Sequence, residues 1–167
     1  MSDAVPAFPH GLDSSALTAV LARSGGDMAR RYEALWEAIW RQGHVPASVL
    51  ELCRLRLAQL HGAARELEAN PPPGARAGLD DRKIESLLAG AWTRETRFSA
   101  GERAALEFAE VYAQDPQAIT DELAAAVKAP FGETGLVALI EALGVIDGRI
   151  RLGMMLGALL PAESGHG

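Results

Sequence analysis

Near the middle of the chain, Glu51, His61 and Glu66 are the residues whose types and spacing could support chemistry. An imidazole beside a carboxylate is a workable proton-transfer pair, so these residues suggest acid–base catalysis. Each also has a plainer structural role. His61 can bond a local carbonyl at a helix break, and a buried Glu51 beside Arg54 or Arg56 would form an ion pair. Sulfur chemistry has less to work with. Cys53 is the single cysteine, so no intramolecular disulfide or C-x-x-C centre can form. Its neighbours Leu50 and Leu57 put it on an apolar helix face, where cysteine behaves as a small hydrophobe. No G-x-S-x-G, H-E-x-x-H or glycine-rich phosphate loop occurs, and His10, His44, His61 and His166 are scattered. Neither a cofactor nor a metal is expected.

The element that must position these side chains is the stretch from Glu51 to Asn70. At ~100° per residue, Leu50, Cys53, Leu57, Leu60, Ala64 and Leu67 share one arc, which is read as the core face. Arg56, Gln59, Ala63, Glu66 and Asn70 share another, as they would on a solvated face or along a site. Gly62 is expected to break the helix, because a mid-helix glycine costs ~1 kcal/mol relative to alanine. In a straight helix Glu51 and Ala63 would lie ~18 Å apart, too far to share a site. With a break at His61-Gly62, residues 63–66 become the first turn of a new helix, where free N–H groups and the dipole favour negative charge.

Composition narrows the classes. The 167 residues suit one domain, 1–167, with hydrophobic residues at 49% and aromatics at only 5%; Ala and Leu dominate, which favours helix over strand. The net charge of −6 leaves nucleic acid no electrostatic footprint. The amino terminus has no signal-peptide pattern, and no uninterrupted apolar run reaches ~18 residues, so no membrane span is expected and a cytoplasmic location is the default.

In order, residues 1–12 read as an extended arm. Asp13 can cap a short helix to Leu21, with Ser14 and Ser15 as other candidate caps, and Ser24-Gly25-Gly26 breaks the chain before a helix carrying Met28, Tyr32, Leu35, Ile39 and Trp40. Residues 71–78, PPPGARAG, read as a stiff extended loop inside the domain. Asp80 or Asp81 starts the next helix. Ser99 and Glu102 form a capping box for a helix to about Gln114, with Phe98 and Arg103 flanking it as for a hydrophobic staple. Thr120 caps a short helix that stops at Pro130, and a long apolar helix follows from about Glu133 to Leu160. Its glycines 144, 148, 153 and 157 imply close approach by a neighbouring helix. With the apolar Trp36, Ile39 and Trp40, they also suggest surface to be covered in a homo-oligomer.

Two runs resemble a known family. In the alkylhydroperoxidase D-like (AhpD-like) and carboxymuconolactone decarboxylase-like proteins, a helix reading E-L-x-R-L-R-x-x-Q-x-N-G leads into C-x-x-C-x-x-x-H. Glu51, Leu52, Arg54, Leu55, Arg56, Gln59 and Gly62 match it, with His61 in place of the Asn. Trp92, Phe98, Ser99, Glu102, Arg103, Ala104, Ala105 and Leu106 match a second family run, and Phe131 and Arg149 fit further on. The redox centre is missing: Ala63 and Glu66 stand at the cysteine positions and Asn70 at the histidine position. The resemblance implies an all-α bundle of six to seven helices that forms homo-oligomers. Of the family's proton relay only Glu51 remains, so the resemblance implies a redox-inactive member acting as a binding or assembly module, with a small molecule as ligand. The alternative is a non-redox enzyme using Glu51, Glu66 and His61 for acid–base work on a small organic acid or lactone.

Overall fold

The structure, a computed structural model, describes residues 11–159. They are all-α: α1 (Ser14–Ser24), α2 (Gly26–Arg41), α3 (Ala47–Leu60), α4 (Ala64–Glu68), α5 (Asp81–Leu88), α6 (Ala100–Gln114) and α7 (Asp121–Leu159), with no strand among the described residues. Helix starts follow local capping chemistry. Asp13 accepts from the Ala16 N–H, Asp80 from Lys83, and Ser99 and Glu102 make the reciprocal capping box. No staple accompanies that box: Phe98 is buried with Leu52, Leu55, Leu87, Trp92 and Leu106, while Arg103 donates to the Glu95 carbonyl. The arm expected over residues 1–12 falls mainly outside the described residues, as do His10, His166 and Leu160.

α3 is the hub, packed against α6, α7, α5 and α4. It is therefore buried on nearly every side. Leu50, Cys53 and Leu57 face the larger core with Phe108, Leu139, Leu143 and Ile146, and Leu52 and Leu55 face the smaller cluster. The one-sided core arc is too narrow a description, since Leu60 and Leu67 are only half-buried and Ala64 is exposed. Chain direction changes after Leu60: Gly62 adopts φ 66°, a left-handed conformation that costs glycine little, and α4 starts afresh at Ala64.

Three expectations need correction. Residues 73–78 are not an extended spacer but successive turns, closed by Ala75 N–H to Pro72 O and Ala77 N–H to Gly74 O. The prolines fix only their own φ, and Gly74 and Gly78 at φ near 80° reverse the chain. The helix after Thr120 breaks at Gly132 (φ 72°, ψ 179°), not at Pro130, because that backbone conformation is open only to glycine. Ile39 and Trp40 are core residues, with Trp36 packed beside them, so they do not supply the bare apolar surface.

The α7 glycines are also not alike. A Cβ on Gly153 would stand 2.3 Å from the Leu12 carbonyl oxygen, and Leu12 N–H bonds Gly153 O at 3.0 Å. The close approach is by the segment before α1 rather than by a helix. Gly148 meets nothing within 4 Å. By length and composition α7 passes as a membrane span, but its Leu139, Ala142, Leu143, Ile146 and Ile150 are core residues here, and the same test is met by core helices of water-soluble folds.

Candidate functional site

The break at Gly62 turns α4 so that Glu66 meets Arg54 of α3. Arg54 Nε and Nη2 fork onto Glu51 at 2.7 and 2.9 Å, and Nη1 donates to Glu66 Oε1 (2.5 Å) and the Glu66 carbonyl (2.9 Å). All three side chains are at most 3% exposed. Burial alone would disfavour the Arg54 charge, but the bonds and charges of Glu51 and Glu66 outweigh it and hold the guanidinium above its ordinary value. Arg76, swung in by the turns at 73–78, adds a 3.3 Å contact to Glu51. Glu66 also accepts from Ser14 N–H (2.8 Å) and Ser14 Oγ (2.9 Å), so its carboxylate satisfies an open N–H of the first turn of α1.

A second buried cation lies close by through Ser14. Arg149 of α7 pairs with Glu33 (3.0 Å) and donates to Thr18 Oγ1 (2.6 Å) and the Ser14 carbonyl (3.1 Å). Its guanidinium carbon stands 4.5 Å from the Trp36 ring centre and 5.5 Å from that of Tyr32, within cation–π range. Desolvation raises the Tyr32 phenol, with the Arg149 charge opposing it. Trp36 meets Trp40 edge to face at 5.3 Å.

His61 goes elsewhere. Its Nε2 contacts Asp147 Oδ1 at 2.5 Å, and Asp147 Oδ2 accepts from Arg151 at 2.8 Å. Burial works to raise the Asp147 carboxyl, but the bonds to His61 and Arg151 prevail and hold it below its ordinary value. Cys53 is fully buried, its Sγ 3.6 Å from the Ala105 carbonyl oxygen, and desolvation pushes the thiol up to about 12.

The structure therefore joins Glu51 to Glu66 through Arg54 and leaves His61 on a separate contact with α7. Ala63 is buried at the start of α4, and Asn70 is exposed at the rim of a cleft of about 510 Å³. Trp36, Trp40 and the three prolines 71–73 supply the cleft's apolar walls, Arg54 and Glu66 its buried polar side, and Glu37 and Arg41 its outer edge. Sequence reasoning did not find the Trp36–Trp40 wall, Ser14, or the roles of Asp147 and Arg149. One signal was present for Arg149: a cation flanked along α7 by Ile146, Ile150 and Gly153 must be buried with a partner. No group of three or more potential metal ligands is assembled among the described residues.

No protein-family model matches the chain, and no curated protein matches it.

Proposed function

We propose that this chain is a redox-inactive relative of the alkylhydroperoxidase D and carboxymuconolactone decarboxylase-like proteins that binds a small molecule in the Trp36–Trp40 cleft. The observation carrying the reading is the commitment of Glu66. At the position of a family cysteine it is buried, paired with Arg54 and bonded to Ser14, as a wall component would be. The helix break at Gly62, the Ser99–Glu102 box and the buried Glu51–Arg54 pair are consistent with the family scaffold. Thiol turnover has no support, because Cys53 is inaccessible and protonated at neutral pH. The acid–base alternative has less support than binding, since His61 bonds Asp147 and does not line the cleft.

The charges lining the cleft cancel: Arg41 and Arg54 against Glu37 and Glu66. A flat, neutral molecule stacked on the indoles and prolines therefore suits it better than an organic acid. The test is a tryptophan-fluorescence titration with phthalide, a neutral bicyclic lactone, beside benzoate. Saturable quenching is expected with phthalide, weaker binding with benzoate, and no saturation in Trp36→Ala. Absence of a saturable phthalide signal in the unmodified protein would remove the neutral-ligand reading. Peroxide consumption should be nil in both the unmodified protein and Cys53→Ser; turnover that this substitution abolishes would overturn the redox-inactive one.

A further inference from the structure

α7 carries its core residues on one side and an unusual face on the other. Val137 (53% exposed), Ile140, Glu141, Gly144, Gly148, Arg151, Met155 and Leu159 are all exposed. At ~100° per residue they fall within an arc of ~100° running the length of the helix. A solvated face of a soluble bundle would be polar, yet this one has four large apolar side chains and two glycines. Each glycine costs ~1 kcal/mol of helix propensity relative to alanine. Nothing among the described residues uses the space this creates: a Cβ on Gly148 would meet no atom of theirs within 4 Å, and one on Gly144 only the Tyr112 hydroxyl at 3.7 Å.

The order of residues along this face is nearly palindromic about position 146. Reversing the helix sets Gly144 against Gly148, Glu141 against Arg151, and Val137 against Met155. We propose that this face binds the same face of a second copy of the chain, the two α7 helices running antiparallel about a two-fold axis. Charge complementarity selects this occupant. Glu141, which makes no ion pair among the described residues, meets Arg151 of the partner subunit, whose Nε donates to Asp147 of its own chain and whose outer nitrogens make no bond among the described residues, and the symmetry makes that pair twice. In a parallel arrangement in register, Glu141 would face its own copy and repel it. The paired glycines let the backbones come within the close end of helix packing distances, ~8 Å between axes. Alongside, Leu35 of α2 and Ile140 border a groove of about 510 Å³ that widens the apolar surface. The strip from 137 to 159 is ~33 Å long and one helix wide, small for a stable interface, so dissociation is expected in the micromolar range.

The experiment uses the whole chain in sedimentation velocity from 1 to 200 μM, together with disulfide trapping. The unmodified protein should shift with concentration from the 17.7 kDa monomer towards twice that mass. Gly148→Leu fills open space in the monomer, so its circular dichroism should be unchanged while its dimer dissociation constant rises at least tenfold. Glu141→Arg should weaken association comparably. Trapping fixes the register. The double variant Gly144→Cys/Gly148→Cys should cross-link between copies, because positions 144 and 148 face one another. Val137→Cys should not, its two copies being ~27 Å apart. A monomer throughout the range overturns the proposal. So does association indifferent to Gly148→Leu, or cross-linking of Val137→Cys in preference to the double variant.

Discussion

Arg54 is the residue on which the buried polar network depends, because it pairs with both carboxylates that have left water, whereas Arg76 reaches only Glu51. Removing one partner of such a group costs far more than the whole group contributes, since the remaining charges stay buried without compensation. Arg54→Met should therefore lower the unfolding free energy by about 3–5 kcal/mol, read by urea denaturation. Arg54→Lys should recover only part of it, because an ammonium cannot fork onto Glu51 while reaching Glu66. A loss under 1 kcal/mol for Arg54→Met would mean that the carboxylates reprotonate or find water at little cost. Asp147 offers a pH test. Its folded-state carboxyl is held below the ordinary value of roughly 4, so below that pH the unfolded chain binds the extra proton. Its contribution is complete above that value and lost as pH falls through the depressed one. The groups facing it are His61, Arg151 and the Tyr112 phenol. Stability of Asp147→Asn should fall less steeply between about pH 4 and pH 2 than that of the unmodified protein. Parallel profiles would show that the pairing contributes nothing in that range.

Helix boundaries were the part most legible in the sequence, and the reason is range. A cap is decided within three residues, so Asp13, Asp80, Ser99 with Glu102, and Thr120 could each be read locally. The break at Gly62 was legible for the same reason. Where two local signals competed, the weaker-looking one decided: Gly74 and Gly78 curled the proline loop, and Gly132 rather than Pro130 broke the last helix. Glycines inside α7 could be counted but not ranked, since what each faces depends on distant chain. Gly153→Ala should cost about 1–3 kcal/mol by driving a methyl against the Leu12 carbonyl. Gly148→Ala, measured on monomer below 1 μM, should gain up to ~1 kcal/mol from helix propensity. Equal effects in chemical denaturation would contradict this distinction between the two sites.

Across the whole molecule, the site was illegible wherever its partners are far apart in sequence. His61 and Asp147 lie 86 residues apart, and Arg149 and Glu33 lie 116 apart. Helical periodicity could place Glu66 on a face, but not Ser14 above it or the indoles beside it. Cys53 gives a probe of the whole fold. It sits in α3, enclosed by α6 and α7, so opening any one helix end should not expose it. Its reaction with 5,5′-dithiobis(2-nitrobenzoate) should be slower than that of free cysteine by a factor set by global unfolding, and should track urea. Rapid labelling in native buffer would reveal a local opening of the α3–α6 seam.

Ser14 touches both buried arginines' networks: its N–H and hydroxyl serve Glu66, and its carbonyl accepts from Arg149. On the ribosome, this residue emerges before either partner and must wait for them. At ~5–20 residues per second, the 135 residues separating Ser14 from Arg149 take roughly 7–27 s to be made. Until α7 is made, Trp36 lacks the Arg149 cation that packs on its ring, and α1 beside the cleft lacks the bond that ties Ser14 to α7. The nascent chain therefore presents an indole-rich surface to chaperones until its last helix is released, and closure of the cleft becomes a late event in the protein's birth.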